Sequence, residues 1–148
     1  MKKLFLFFAL SSMMLAFNSC SKEDDDAPVS KGIITFKVDG RQVTLDMVTV
    51  NEQKFLEGTT DEYTQIGIFA NSKSNSDFIE FSIKKGDLED NINDLIYGYE
   101  DVGYHILDNF AFHITSNGDD KKITGTFSGD LSEQGEETVT DGIINIQY

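Results

Sequence analysis

The sequence predicts an all-β fold, an antiparallel β-sandwich or a barrel-like sheet of about eight or nine short strands. Three observations point there. Apolar residues alternate with polar ones in segment after segment, helical periodicity is nearly absent, and Gly, Asn and Asp recur between the segments. A period of two buries one face of each strand and wets the other, which is the pattern of antiparallel sheets.

Taken in order, Ile34, Phe36 and Val38 alternate with Thr35 and Lys37 and run into Asp39-Gly40, a two-residue hairpin signal. Val43, Leu45 and Met47 follow, separated by Thr44 and Asp46, and are expected to share one face. Lys54 to Gly58 is a weaker segment. Ile66 and Ile68 continue the alternation, then Ile79, Phe81 and Ile83, with Glu80 and Ser82 opposite. Phe110, Phe112 and Ile114 lead to Asn117-Gly118, read as a second tight turn. Ile123, Phe127 and Leu131 come next, and Ile144, Ile146 and Tyr148 close the chain as a strand.

From Gly86 to Gly103 the rhythm breaks. The stretch is rich in carboxylates and amides, so it is expected to form one long loop with a short helical turn near Leu88 to Leu95. Loops of that length are uncommon in compact domains unless they are functional or disordered. Tyr97, Tyr99 and Tyr104 therefore mark the expected binding surface. The chain has no tryptophan, so stacking against a sugar would fall to these rings. Asp87, Glu89, Asp90, Asn93 and Asp94 offer the hard oxygen ligands that calcium prefers. Ile92 stands where an EF-hand needs glycine and the closing glutamate is missing, so the choice is between an irregular calcium loop and a solvated acidic one.

The N-terminus carries an address. Lys2 and Lys3 precede the unbroken apolar run Leu4 to Leu10, and small and polar residues lead to Ser19-Cys20. A basic start, a short apolar core and a small-residue cleavage site describe a secretory signal peptide. Leu4, Phe5, Leu6, Phe7 and Phe8 are apolar all round, so the segment has no polar face to suit a surface helix. Residues 1–19 are expected to be removed, 20–31 to form a lipidated cysteine with an acidic tether, and 32–148 to fold as one all-β domain. Cys20 is the only cysteine, which excludes a disulfide within the chain.

Ala16-Phe17-Asn18-Ser19-Cys20 resembles a bacterial lipobox, with Phe17 where leucine is common. The resemblance implies cleavage before Cys20 and acylation of its thiol, including palmitate. Each buried acyl CH₂ contributes about 0.8 kcal/mol, so several chains on one residue hold firmly to a membrane. Lys22 followed by Glu23, Asp24, Asp25 and Asp26 resembles the surface-export signal of Bacteroidetes lipoproteins. That implies an outer-membrane protein facing the cell exterior. Further on, the run Thr35 to Gly40 and the run Ile123 to Gly129 look like those of small Bacteroidetes surface lipoproteins with β-sandwich domains of unknown function. This likeness implies a fold and a location, and no catalytic residue.

Charge narrows the partners. The formal net charge is −14, and loss of the leader with its two lysines makes it −16. Nucleic acid and anionic headgroups would be repelled, which leaves the lipid anchor's membrane, a glycan or a protein. No catalytic set stands out. His105 and His113 flank Asp108, but a metal site needs further converging ligands, and His113 falls on the face opposite Phe112 and Ile114. Ser116, His113 and Asp108 make a triad only on paper, since triads are defined by geometry. Paired carboxylates for glycoside hydrolysis are inevitable among 26 acidic residues and need no catalytic reading. The expected role is a non-enzymatic binding module without a cofactor. A lipocalin-like carrier of an apolar ligand and a calcium-stabilised surface domain are the alternatives, with a small hydrolase behind both.

Overall fold

The structure, a computed structural model, describes residues 29–74, 76–88, 92–99, 104–131 and 137–148. Cys20 and the tether through Pro28 lie outside them. Nine antiparallel strands form one curled, half-barrel sheet, with no helix among the described residues. In chain order they are β1 Val29–Val38, β2 Arg41–Leu45, β3 Met47–Phe55, β4 Tyr63–Asn71 and β5 Asp77–Lys84. Then follow β6 Ile92–Tyr99, β7 Tyr104–Asn117, β8 Lys122–Leu131 and β9 Glu137–Gln147.

Two strands make the sheet curl. β1 pairs β3 through Val29 and Ser30, and β2 through Ile34 to Val38, while its other edge pairs β9 from Lys31 to Val38. β7 likewise pairs β6 through Tyr104 to Ile106, and β8 from Leu107 to Asn117. The strand order is thus one continuous ladder that returns to β1.

The alternation seen in the sequence supplies the core. Ile34, Phe36, Val38, Ile66, Ile68, Ile79, Phe81, Phe127, Ile144 and Ile146 all point inward and are buried. Aromatic rings fill the centre: Phe36 meets Tyr97 edge-on at 5.3 Å between centroids and Phe127 at 5.5 Å, and Phe81 meets Phe112 at 5.7 Å. Truncating a buried ring of this kind typically costs about 3–5 kcal/mol.

The Asp39-Gly40 hairpin forms as expected. Both residues have positive φ, 47° and 82°, the requirement of a type I′ turn. Elsewhere the structure corrects the reading. Strand β1 takes in Val29, which pairs with Thr49. The ladder breaks at Asp46 and resumes one residue out of phase, so Val48 and Val50 face inward and Met47 is exposed. The Asn117-Gly118 pair is no tight turn: β7 ends at Asn117 and β8 begins at Lys122, leaving four residues between. Asn117 is buried instead: its side-chain amide donates to the Lys84 carbonyl at 2.7 Å, and its backbone carbonyl accepts the Gly86 N–H at 2.7 Å.

The largest correction concerns Gly86 to Gly103. Ile92–Tyr99 is strand β6, paired with β5 and β7, rather than a long loop with a helical turn. Leu95 and Tyr97 are buried in the core, which gives these residues the apolar surface that holds a strand.

Close strand packing leaves no room for a side chain at Gly142. A Cβ at Gly142 would collide with the carbonyl oxygen of Phe127 and its ring, whereas one at Gly118 meets nothing nearer than 3.8 Å. Gly142→Ala is expected to cost about 1–3 kcal/mol of stability by overpacking. Gly118→Ala should stay within about 0.5 kcal/mol, as surface changes do. Chemical denaturation of both variants checks this, and equal midpoints would refute it.

Candidate functional site

Strands β1, β5, β7 and β9 run between two ends of the sheet. One end holds the start of β1 and the end of β9, with Lys31 paired to Gln147. The other holds the β1–β2 turn, the start of β5 and the end of β6. At this second end sits a polar cluster that joins the expected Tyr97 and Tyr99 to Arg41 and Asp77, which the sequence did not single out.

Arg41 opens β2 just after the hairpin and reaches Asp77 at the start of β5. Its Nη2 donates to Asp77 Oδ1 at 2.9 Å and to the Tyr97 hydroxyl at 2.8 Å. The Tyr97 hydroxyl donates in turn to the same Asp77 oxygen at 2.6 Å. Ser76 donates to Asp77 Oδ2 at 3.1 Å, and the Asp77 N–H donates to Ser72 Oγ at 3.2 Å. The guanidinium also lies over the Tyr99 ring, 5.7 Å from its centroid. The Asp77 side chain is 11% exposed and that of Arg41 49%, so a buried carboxylate is met by a cation at the surface.

Burial alone would raise the Asp77 pKa. Donors from Arg41, Tyr97 and Ser76 outweigh it and hold the carboxyl below its ordinary 3.8. The hydrogen bond to Asp77 raises Arg41 further, and burial followed by the bond to Asp77 raises Tyr97. None of these groups exchanges a proton near neutral pH, so the cluster is a fixed charge arrangement and no acid–base pair. The arrangement fastens β2 to β5 and β6 where no backbone ladder joins them. The signal for it was available: Arg41 is the only arginine in the chain.

At the first end, Lys85 and the Tyr148 hydroxyl both donate to Glu52 Oε1, at 3.2 and 3.0 Å. Burial opposes ionisation of Glu52, and these bonds overcome it to lower its pKa. They tie the chain's last residue to β3.

Of the expected binding residues, Tyr97 and Tyr99 stack at 6.0 Å between centroids and share Arg41. Tyr97 is 1% exposed, so it is a core residue and offers no face to a sugar. Tyr99 is half-buried against the core and carries Arg41. Tyr104 begins β7, paired with Gly98. Of the calcium set, Asn93 and Asp94 belong to β6, Asp87 follows the β5 turn, and Glu89 and Asp90 fall outside the described residues. Among the described residues no group of three His, Cys, Asp or Glu side chains converges to hold a metal ion. His113 is exposed, as expected, in a shallow depression of about 800 Å³ beside Thr126, Asp141 and Ile143. His105 lies eight residues away on the same strand, about 26 Å at the usual rise. The Ser116 hydroxyl donates to the Lys122 carbonyl at 3.4 Å, so the paper triad is not assembled.

No family model matches this chain, and no curated protein or solved structure is detectably similar to it.

The linkage of Asp77 to folding has a definite sign. Its folded pKa lies below 3.8, so its contribution is fully present above that pH and drains away as the pH falls further. Acid unfolding of Asp77→Asn should therefore show a flatter limb below about pH 4. Arg41→Ala should cost about 1–3 kcal/mol, below the fully buried case, because Tyr97 and Ser76 still satisfy the carboxylate and water reaches it. Urea titrations across pH 2–7 read both, and an unchanged acid limb in Asp77→Asn would contradict the assignment.

Proposed function

We propose that this chain is a lipid-anchored outer-membrane module that faces the cell exterior and binds a partner without catalysing a reaction. The observation that carries this reading is the polarity of the fold. β1 starts, and β9 ends, at one end, whereas Arg41, Asp77 and Tyr99 cap the other. An anchor on Cys20, joined to β1 by a tether of fewer than a dozen residues, leaves the capped end directed away from the lipid. The tether's carboxylates suit a solvated spacer, since they cannot pack and are repelled by anionic headgroups.

The β1–β9 pairing also supports a barrel-like closure of the sheet. A carrier would need room inside, and the centre is occupied by Phe36, Phe81, Tyr97, Phe112 and Phe127. That packing weighs against the lipocalin-like alternative. A hydrolase is disfavoured by His113, which makes no side-chain hydrogen bond among the described residues. A calcium-stabilised loop loses support because Asn93 and Asp94 are strand residues.

The anchor is tested by growing cells with labelled palmitate. The label should enter the wild-type chain and be lost in Cys20→Ser, with the variant moving from the membrane to the soluble fraction. Protease added to intact cells should digest the wild type. Label retained by Cys20→Ser would defeat the anchor, and full protection from protease would defeat surface exposure.

A further inference from the structure

We propose that the β3–β4 hairpin sets its tip, Leu56, into the surface of the membrane that holds the Cys20 anchor. This rests on reading the chain as lipid-anchored and names the part of the domain that meets the lipid.

Register sets the reach of the hairpin. Val29, the first residue of β1, pairs with Thr49 of β3, and the two strands are antiparallel. Beyond Thr49, β3 therefore runs back toward the side from which the chain arrives, and it stays paired with β4 as far as Phe55. Those six residues extend about 20 Å at the usual rise. Val29 stands nine residues on from Cys20, a distance of at most about 30 Å with the chain fully stretched. The hairpin takes up two thirds of that reach. Even at full stretch about 10 Å remains between tip and anchor, and any slack closes it.

The tip is built to hold its leucine out. Leu56 has a φ of 55°, in the left-handed region that suits glycine or asparagine and strains a leucine. Its carbonyl accepts the Thr59 N–H at 3.0 Å and the Thr59 hydroxyl at 2.7 Å. The Gly58 N–H donates to the Glu62 carboxylate at 2.9 Å. An ordered turn thus presents an apolar side chain that is 57% exposed. No burial within the domain offsets the strain, so the leucine finds its apolar partner outside. Leu88, 50% exposed just beyond the β5–β6 turn, stands at the same end.

Location and charge choose the partner. A gap of about 10 Å is the width of a single helix, so a folded protein does not fit between this end and the lipid. The turn carries Glu57, Asp61 and Glu62, and the strand ends beside it carry Lys54, Lys84 and Lys85. Such mixed charge gives no pull toward anionic headgroups, so the contact is apolar, a leucine leaving water for the headgroup–acyl boundary.

The chain has no tryptophan, so a single introduced one supplies all the indole emission. The lipidated protein is purified from membranes and reconstituted at low density into phosphatidylcholine vesicles with brominated acyl chains. Leu56→Trp should lose at least half of its emission relative to unbrominated vesicles and shift to shorter wavelength. Lys73→Trp, at an 82% exposed side chain of the capped end, should lose less than a tenth. Leu56→Asn, which suits the left-handed backbone, should keep the melting temperature of the wild type. An unquenched Leu56→Trp overturns the proposal, as does equal quenching at the two positions. A lower melting temperature in Leu56→Asn also overturns it, since the leucine would then serve folding. A chain that fails to float with the vesicles defeats the anchor and this contact together, whereas a floated chain without quenching defeats the contact alone.

Discussion

β1 is bonded along both edges, and the architecture follows from that constraint. Its ten residues meet β3 and β2 on one side and β9 on the other. A strand so placed must satisfy three partners in register while keeping Ile34, Phe36 and Val38 turned inward. The register shift between Thr35 and Lys37 in its pairing with β9 lets the two edges disagree locally without turning Phe36 outward. Once β1 is fixed, the antiparallel meander from β3 to β9 has one way round, because each strand pairs the next.

Backbone pairing does not cover the whole circuit. β2 is bonded to β1 alone, so its other edge meets the β4–β5 hairpin without a ladder. Arg41 with Asp77 and Tyr97 joins that seam, and Asp46 bound to Lys73 at 2.8 Å lies farther along it. Where β7 parts from β6, Asn117 reaches the Lys84 carbonyl and holds the β5–β6 turn. Side chains thus do at two seams what the ladder does elsewhere. One of them is partly exposed and charged, the other buried and neutral, so pH and salt act on the first far more than on the second.

The strands with clean alternation were legible in the sequence because period two translates directly into burial. Ile79, Phe81 and Ile83, or Ile144 and Ile146, need no context to be placed. Reading failed where geometry slipped by a residue. The break at Asp46 reverses Met47, and a register shift between Glu80 and Ser82 accompanies the Asn93-Asp94 interruption in β6. With two polar residues beside that shift, β6 looks like a loop in one dimension, although Leu95 and Tyr97 are inside it. The polar cluster was hidden for another reason. Arg41, Asp77 and Tyr97 are 36 and 20 residues apart, and only the folded sheet brings them together. Rarity was the one clue, since a lone arginine in an acidic chain stands out. The reach of the β3–β4 hairpin needed register, which a sequence without turn geometry does not supply.

The side-by-side exit of β1 and β9 also has a mechanical side. A load applied at Val29 and resisted elsewhere in the sheet pulls β1 along its own axis, parallel to β9. Interstrand hydrogen bonds in an antiparallel pair lie across the strands, so such a load shears the ladder from Lys31 to Val38 as a set. It does not unzip it bond by bond. A domain tugged through its N-terminus therefore resists through the whole β1–β9 ladder at once, and its first yielding step is the loss of β1 as a whole.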